Sequence, residues 1–381
     1  MLVAPNAFKG TLSAVEAARS IAAGLRLSMP GAEVREMPVS DGGQGFLETV
    51  LHAAGGKTVE VEVEGPLGGR VTARYGVIDG GSTAVIEMAL ASGITLVREH
   101  ELDPMRASTY GTGELIRHAV DSGCEEVIVG LGGSATNDGG AGALQALGVR
   151  LLDAQGREIG RGGGELGRLD RVDARWLHPR MSRVRTMVAC DVDNPLCGAN
   201  GASAVYGPQK GATPATVKVL DDNLLRFAMA VRSAIGVDIR YLPGAGAAGG
   251  LGGGLAALPG TRLVPGFKLV AERLGLERAV EWADVVITGE GRLDCQSLRG
   301  KGPVGVGALA RSHSVPVVAV VGRVEPTAWE SAEELFDAVV VAGPPETGED
   351  AKTSAGEALE RAGRMVGMLM GIGGRTRGCC S

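Results

Sequence analysis

Polar side chains that could bind and transfer an anionic group lie in five segments of the sequence, four of which contain glycine. The segments are PNAFKGTLS with Asn6 and Lys9, SDGGQG with Asp41, GGSATNDGG with Ser134, Asn137 and Asp138, MVACDVDNP with Asp191 and Asn194, and ITGEGRLDCQSLRGKGP with Glu290, Asp294 and Lys301. Glycine N–H groups at a helix start bind phosphate oxygens, and lysines neutralise the charge that develops in phosphoryl transfer. Carboxylates hold Mg²⁺ or accept a proton from a hydroxyl. The set therefore indicates phosphoryl transfer.

Known nucleotide-binding motifs do not account for these segments. GGKT at 55–58 ends like a P-loop, but Leu51 stands where the first glycine is required. GAGAAG at 244–249 matches G-x-G-x-x-G, yet DIRYLP before it contains a proline and makes a poor strand. A nicotinamide-dependent oxidoreductase is an alternative that rests on this one segment. The same glycines would also suit a hinge, or a loop that approaches another backbone closely.

Each candidate also has a simple structural interpretation. NDGG at 137–140 is typical of a turn with an Asx cap, Asp41 could cap a helix, and Asp193-Asn194-Pro195 is typical of an ordinary turn. Lys9 and Lys210 stand beside glycines, where a solvated surface lysine is the usual case. Five such loops favour a shared site, because sites of open α/β sheets lie where the carboxyl ends of strands lead into loops.

The composition excludes several classes of protein. A chain of 381 residues with 44% apolar and 22% charged residues is typical of a globular protein of about two domains. The net charge of −6 argues against a nucleic-acid partner, because phosphate backbones bind basic surfaces. No apolar run reaches the ~18 residues of a membrane span. The six cysteines are scattered without a C-x-x-C pair and predict neither disulfides nor zinc, so we expect a cytoplasmic protein.

The elements that must position these loops begin with a β-α-β-α pattern. LVAP predicts a strand, and a helix follows from Ser13, whose spacing to Glu16 is that of a capping box. EVREMPV predicts the next strand, and another helix starts near Gly45. Two alternating stretches, VEVEVEG (59–65) and RVTARYGVI (70–78), flank GPLGG and predict a β-hairpin with one exposed face.

Beyond the hairpin, apolar segments of strand character alternate with helical patterns. The predicted strands are TAVIEM, 125–131, 184–190, ADVVITG, VPVVAVVG and DAVVVAG, and the predicted helices are 113–122, 139–147, 267–279, 303–313 and 350–370. Apolar strands between helices imply a parallel sheet covered on both faces. We predict an α/β fold of two α/β domains: a doubly wound, Rossmann-like parallel sheet from 1–60 and 261–381, interrupted by a domain with a mixed sheet over about 61–260. The tail from 373 to 381 is expected to be disordered.

Eight segments carry a resemblance to a known family. In order they are PNAFKGTLSA, DGGQG, TYGTGELI, GLGGSATNDGGAGALQALG, ACDVDNPLCG, YGPQKGAT, GAGAAGGLGGG and ITGEGRLDCQSLRGKGP. Over about residues 2–345 the chain resembles the bacterial type I glycerate kinases. The resemblance implies ATP-dependent, Mg²⁺-requiring phosphorylation of D-glycerate to 2-phosphoglycerate, in a cleft between two α/β domains. Residue chemistry by itself leads only to a small-molecule phosphotransferase without a P-loop, and it does not decide between 2- and 3-phosphoglycerate.

The resemblance also assigns roles to particular residues. The positions that match the family's motifs are Lys9, Asp41, Asn137, Asp138, Asp191, Lys210, Glu290, Asp294 and Lys301. We expect Asp191 to act as general base and Lys9 and Lys210 to face the anionic reactants. We expect Glu290 and Asp294 to hold Mg²⁺; the alternative is a surface loop in which Arg292 and Lys301 neutralise both acids. Substrate and nucleotide would be bound by Asn6, Asp41, Ser134, Asn137, Asp138, Asn194 and Lys301.

Two departures from the family and two other functions bear on this interpretation. The family commonly has Asp-Ser where this chain has Asn6-Ala7, and Glu where it has Gln44, so an acid does not act at these positions here.

A kinase of another small hydroxy-acid on the same fold is one alternative. A catalytically silent, ligand-binding regulator is the other, although Asp191 and Lys210 are intact. The expected partners are glycerate and ATP, with no nucleic acid and no membrane, in a monomer or homodimer.

Overall fold

The computed structural model describes residues 1–294, 302–343 and 350–377. Their contacts divide the chain into two compact units. The first unit comprises residues 1–41, 48–53 and the described residues from 267 onward, and the second comprises residues 42–47 and 54–266. Each unit has its own sheet and its own buried apolar core. Among the helices in the described ranges, none combines the length and the apolar character that a membrane crossing requires.

Strands and helices alternate along most of the chain. The strands are β1 (Leu2–Val3), β2 (Arg35–Glu36), β3 (Lys57–Glu64), β4 (Arg70–Ile78), β5 (Thr83–Glu87), β6 (Glu126–Gly130), β7 (Arg150–Leu152), β8 (Arg171–Asp173), β9 (Arg185–Ala189), β10 (Thr261–Val264), β11 (Val286–Leu293), β12 (Val317–Val324) and β13 (Ala338–Val341). The helices are α1 (Ala14–Ser28), α2 (Phe46–Ala54), α3 (Ala89–Ser92), α4 (Tyr110–Asp121), α5 (Ala141–Ala146), α6 (Ala202–Tyr206), α7 (Pro214–Ile235), α8 (Leu251–Ala256), α9 (Gly266–Leu274), α10 (Leu276–Trp282), α11 (Gly302–Ser312), α12 (Trp329–Leu335) and α13 (Ala351–Arg377).

The sheet of the first unit is parallel throughout. Its strand order is β13-β12-β11-β1-β2, which, counted within the unit from the opposite edge, is 2-1-3-4-5. This is a doubly wound order in which the winding direction reverses between β1 and β11. Ligands of such sheets bind outside the carboxyl ends of the strands at the point of reversal. A ligand site of this sheet is therefore expected beside the segment that follows β1 and the end of β11.

Helices cover both faces of this sheet, as its apolar strands predict. Val3 and Ile287 face a core that includes α1 and α13, whereas Leu2 and Val286 face a core that includes α10, α11 and α12. The predicted capping box of α1 is confirmed: the Glu16 N–H donates to Ser13 Oγ at 3.2 Å, and the Ser13 N–H donates to Glu16 Oε2 at 2.9 Å. These bonds satisfy two N–H groups that the helix start would otherwise leave unpaired.

The sheet of the second unit is mixed, also as predicted. Its order is β10-β9-β6-β5-β4-β3. β4 pairs antiparallel with both β3 and β5, and the pairs β5–β6, β6–β9 and β9–β10 are parallel. The alternating hairpin is confirmed as β3 and β4. A separate two-stranded sheet pairs β7 with β8. The parallel strands bring their carboxyl ends, and the loops that follow β6 and β9, to one edge of the sheet.

β11 is longer than the sequence indicates. The strand predicted at ADVVITG continues to Leu293, because Arg292 and Leu293 pair with Arg323 and Val324 of β12. Glu290 and Arg292 therefore lie in a strand, and the prediction that they belong to a loop was wrong. Backbone hydrogen bonding to β12 fixes the positions of both side chains more tightly than a glycine-bounded loop would.

Two helix predictions also need correction. The single helix predicted over 267–279 is two helices, α9 and α10, because Gly275 between them has a left-handed φ of 64°. α13 continues to Arg377, so the disorder expected from residue 373 is wrong as far as 377. Residues 378–381 lie outside the described part of the chain.

Candidate active site

A cavity of about 410 Å³ in the first unit gathers four of the predicted site residues. It lies beside the segment after β1 and the ends of β11 and β12, at the point where the winding direction reverses. Lys9, Asp41, Glu290 and Asp294 line it. Lys9 is exposed and forms no ion pair with the part of the chain that the structure describes. This edge of the sheet is therefore the place where cationic and anionic side chains from distant segments meet.

Two arginines that the sequence analysis did not assign to the site line the same cavity. Arg292 and Arg323 are register partners on the adjacent strands β11 and β12. Arg292 Nε lies 2.8 Å from Glu325 Oε1 and 3.8 Å from Asp294 Oδ2, and Arg323 Nε lies 3.9 Å from the same Glu325 oxygen. Arg292 thus pairs more closely with Glu325 than with the predicted metal ligand Asp294. The sequence signal was a Gly-Arg pair at the end of two successive apolar strands.

Asn6 does not line this cavity. Its side chain is buried, and its Oδ1 accepts a hydrogen bond from the Ala7 N–H at 2.8 Å. Asn6 therefore shapes the turn that leads from β1 to Lys9. Lys301, the last predicted binding residue of the first unit, lies outside the described residues.

The cavity offers the kind of donor atoms that Mg²⁺ prefers. Asp41, Glu290 and Asp294 supply carboxylate oxygens to one cavity. Within the described ranges, no three His, Cys, Asp or Glu side chains cluster closely enough to cage a metal ion by themselves. Mg²⁺ commonly uses one or two carboxylates and completes its shell with water and substrate phosphates. The residues present therefore fit an ion that arrives with a phosphate ligand.

Lys210 occupies a buried position in the second unit. The residue is 2% exposed, and its Nζ donates to Ser134 Oγ and to the Thr136 carbonyl oxygen, both at 2.7 Å. The interpretation of Lys210 as a solvated surface lysine is wrong. Burial lowers the pKa of its ammonium group to about 7, and the nearby carboxylate of Asp138 partly opposes that shift. Lys210 thus ties the segment 207–211 to the loop that follows β6.

Asp138 is the hydrogen-bonding centre of that loop. Its buried carboxylate accepts from the N–H and hydroxyl of Thr109, both at 2.9 Å, and from the N–H groups of Gly140 and Gly142 at 3.1 and 3.2 Å. Burial raises the pKa of Asp138 against these four bonds, which favour the charged form. The capping interpretation of NDGG is therefore confirmed in its geometry, and the cap joins the starts of α4 and α5.

Asn137 is buried beside Asp138. Its Nδ2 donates to Ser203 Oγ at 2.8 Å, while its buried Oδ1 has no hydrogen-bond partner among the described residues. Ser134 is also buried and accepts from Lys210. Ser134, Asn137, Asp138 and Lys210 thus form one buried polar group that fixes the loop after β6.

The glycine-dense segment 244–254 packs against the same loop. A Cβ on Gly249 would lie 1.9 Å from the Thr136 carbonyl oxygen, and one on Gly254 would lie 2.4 Å from that of Gly139. Among the described residues 237–246, which precede these glycines, there is no strand. A dinucleotide fingerprint requires one, so the segment does not support the oxidoreductase alternative. It is a close-approach loop.

Asp191 and Asn194 lie in the loop after β9. Asp191 is half-buried, and its Oδ1 accepts from the Gly266 N–H at 2.9 Å. Asn194 Nδ2 donates to the Asn200 carbonyl oxygen at 2.9 Å, and its Oδ1 accepts from the Tyr206 hydroxyl at 2.8 Å. The side chain of Asn194 therefore holds its own loop together, whereas that of Asp191 stands where the strand ends.

One further carboxylate was missed. Glu87 ends β5, is buried, and accepts hydrogen bonds from the N–H groups of Gly45 and Leu47, both at 3.2 Å. It thereby fixes the end of the DGGQG segment and the start of α2. The sequence contained a signal for Glu87, because it is an acid at the end of the apolar run TAVIE. A carboxylate buried there requires hydrogen-bond donors from a nearby segment.

The fold and these loops define a two-unit α/β protein with a polar cavity at the switch point of a doubly wound sheet. A family model described as the glycerate kinase family matches residues 1–371. The glycerate 2-kinase of Escherichia coli is 44% identical over 379 residues, which are 99% of this chain and 100% of that protein. The glycerate kinase of Halalkalibacterium halodurans is 49% identical over 322 residues, 84% of this chain and 85% of the relative. The crystal structure of putative glycerate kinase 2 from Salmonella typhimurium LT2 superimposes with a TM-score of 0.88 at 44% identity over 98% of both chains. The chain belongs to the glycerate kinase family, and the predicted family is confirmed.

Proposed function

We propose that the protein transfers the γ-phosphoryl group of ATP to the 2-hydroxyl of D-glycerate, giving 2-phosphoglycerate and ADP in a Mg²⁺-dependent reaction. The observation that carries the proposal is the likeness to a glycerate 2-kinase over 99% of this chain. The polar loops at the carboxyl ends of both sheets support it, because phosphoryl transfer depends on positioning and on charge stabilisation.

Asp191 is the general base in this proposal. The hydroxyl oxygen of glycerate attacks the γ-phosphorus, the bond to the ADP oxygen breaks, and the hydroxyl proton passes to the Asp191 carboxylate. The Gly266 N–H donates to one carboxylate oxygen at 2.9 Å, which fixes the orientation of the Asp191 carboxylate beyond the end of β9. Positioned general-base catalysis contributes roughly 10²–10⁴ in rate.

Glu290 and Asp294 hold Mg²⁺ in this proposal, with Asp41 as the third carboxylate of the same cavity. The ion would supply positive charge to the phosphate oxygens. Lys9, exposed beside these carboxylates, contributes a cation to the anionic reactants. Its long, flexible side chain can reach the transferred group, where its charge would stabilise the charge of the transition state.

The buried group in the second unit positions a substrate loop. Lys210, Asn137 and Asp138 are enclosed and hydrogen-bonded within the unit, so we assign them to holding the backbone after β6 in place. The N–H groups of Gly132, Gly139 and Gly140 in that loop donate within the unit, which fixes the backbone that the substrate would meet. The proposal also assigns substrate binding to Ser134, which belongs to this buried group, and to Asn194 in the loop after β9.

Two measurements test the proposed function. ADP formation should require D-glycerate and Mg²⁺, and ³¹P–¹H correlation NMR of the product should place the phosphate on the 2-hydroxyl. A panel of other small hydroxy-acids tests the alternative acceptor. Product with phosphate on the 3-hydroxyl would correct the regiochemistry. The absence of ADP formation with every acid, including in a single-turnover experiment, would favour the catalytically silent regulator.

A further inference from the structure

One face of α7 remains exposed although it carries large apolar side chains. Val219, Leu225 and Met229 are 45%, 39% and 58% exposed. The opposite face of the helix packs Leu224 and Phe227 into the core of the second unit. The outer face of an amphipathic helix is ordinarily polar. Large apolar side chains gathered on such a face indicate a surface that contacts another molecule.

The middle of this face is a stripe of six residues, spaced four, three, four, three and four positions apart. The α7 stripe consists of exposed residues only: Ala215, Val219, Asp222, Arg226, Met229 and Ser233. The spacing keeps them on one side of the helix, along about 27 Å of its length. From either end, the stripe runs from a small residue through an apolar residue to a charged one. The two central charges have opposite signs.

The two central charges have no ion-pair partner within the part of the chain that the structure describes. Asp222 forms no side-chain hydrogen bond there either, and Arg226 donates one long bond, from Nη1 to the Leu169 carbonyl oxygen at 3.5 Å. Both side chains line a groove of about 500 Å³ between α7 and the segment that contains Leu169 and Asp170. The charges of the α7 stripe are therefore available to a second molecule.

A second copy of the same helix complements the α7 stripe when the two run antiparallel. A two-fold axis at the level of residue 224 sets Asp222 opposite the partner's Arg226. The same axis sets Val219 opposite the partner's Met229, and each contact occurs twice because a two-fold interface is isologous. A parallel pair would instead set each charge opposite its own copy. Shifting one antiparallel helix by four residues, about one turn, would do so for Asp222 in one direction and for Arg226 in the other. The charges therefore favour one orientation and one register.

We propose that the α7 stripe is an interface between two copies of this chain, which form a homodimer through an antiparallel α7 pair. The inference goes beyond the proposed reaction, because no residue of the stripe belongs to the candidate site. Symmetry supplies the partner with the matching charges and apolar side chains. A contact centred on one helix buries less surface than most permanent dimers, so we expect a dissociation constant in the micromolar range.

The first test reverses the charges. Sedimentation equilibrium of the full chain should show a monomer–dimer equilibrium. Asp222→Arg and Arg226→Asp, each alone, should raise the dimer dissociation constant by about tenfold or more, because two like-charge contacts replace two ion pairs. An equimolar mixture of the two variants should form a heterodimer with the original affinity, since every contact is again between opposite charges. The double variant, Asp222→Arg with Arg226→Asp, should recover the homodimer for the same reason.

Glu357→Arg is the matched control for these variants. Glu357 is an exposed acid of α13 that stands four residues before Arg361, as Asp222 stands before Arg226 on α7. The control introduces the same charge reversal and the same like-charge pair within a helix. It should leave the dimer dissociation constant unchanged.

The second test addresses the apolar contacts. Met229→Glu should raise the dimer dissociation constant by about a hundredfold, because the two-fold axis removes two apolar contacts at once. Met365→Glu is the control, since Met365 is 54% exposed and belongs to another apolar patch, with Met368 and Leu369 on α13. It should leave the dimer intact. Thermal unfolding followed by circular dichroism shows whether each variant is folded before its mass is measured.

Several results would overturn the inference. One is a chain that stays monomeric throughout a micromolar-to-millimolar concentration series. Another is a dimer that dissociates with Met365→Glu but not with Met229→Glu, which would place the interface on α13. Failure of both the mixture and the double variant to recover the dimer would refute the antiparallel register. None of these outcomes bears on phosphoryl transfer, so the inference and the proposed function fail separately.

Discussion

Titration of the buried Lys210 amine should make the stability of the second unit rise with pH above neutrality. In the folded protein burial lowers its pKa to about 7, whereas the unfolded chain keeps the ordinary value of 10.5. Between these values the unfolded state binds one more proton than the folded state. The free energy of unfolding therefore increases with pH throughout this window, and below pH 7 the folded state bears the full cost of a buried ammonium group.

The magnitude follows from the width of the window. Each pH unit between the two pKa values contributes about 1.4 kcal/mol, so stability should increase by about 3 kcal/mol from pH 7.5 to pH 9.5 on account of Lys210. Lys210→Met removes the titrating group and should lack this increase. The substitution also leaves the Ser134 hydroxyl and the Thr136 carbonyl oxygen without their donor, a loss of about 1–3 kcal/mol that does not depend on pH.

The assay compares the urea unfolding of the unmodified protein and of Lys210→Met at pH 7.5, 8.5 and 9.5. Unfolding is followed by circular dichroism and by proteolytic cleavage within residues 126–206. NMR supplies a direct check, because only seven lysines are present and the Cε signal of Lys210 should titrate near pH 7. Lys210→Arg identifies that signal by its disappearance. A constant stability difference between the two proteins over this pH range, with every lysine titrating above pH 9.5, would refute the reasoning.

Four further outcomes are expected. Asp191→Asn should lower kcat by about a hundredfold or more with an unchanged circular dichroism spectrum, and near-normal turnover would remove it as the base. Glu290→Gln should raise the Mg²⁺ concentration for half-maximal activity severalfold; an unaltered Mg²⁺ dependence would place the metal elsewhere. Asp138→Asn should lower the free energy of unfolding by about 2–4 kcal/mol in urea, because an amide then faces N–H donors, and a loss below 1 kcal/mol would contradict the role of the four bonds. Lys9→Met should chiefly raise KM if the lysine contacts a reactant in the ground state, and chiefly lower kcat if it contacts charge that develops only in the transition state. Unchanged kinetics would show that Lys9 is a solvated surface lysine without a role in the reaction.

The fold could be predicted because local patterns determine most of it. Alternation over 59–65 and 70–78 defines β3 and β4 before any tertiary contact is known. The spacing of Ser13 and Glu16 likewise fixes the start of α1 by local hydrogen bonds. The doubly wound order itself is not local, and the sequence indicated only that apolar strands between helices must be covered on both faces.

The candidate site was predicted less completely, because tertiary contacts decide which polar side chains are enclosed. Lys210 stands beside glycines like a surface lysine, and its burial depends on Ser134 and Thr136, more than seventy residues earlier in the chain. Arg323 has Glu325 as a charged neighbour in its own segment, which by itself indicates an ordinary surface ion pair. It lies beside Arg292 at the cavity only because β11 and β12 pair in that register.

The contact between the segment 244–254 and the NDGG loop has a consequence for protein engineering. Gly249 and Gly254 stand so close to the Thr136 and Gly139 carbonyl oxygens that any side chain would displace the loop backbone. A randomised library at these two positions should return almost only glycine under selection for folding, whatever acid is supplied as substrate. Attempts to change the acceptor preference by point mutation should therefore keep Gly249 and Gly254 and vary the side chains of the surrounding loops.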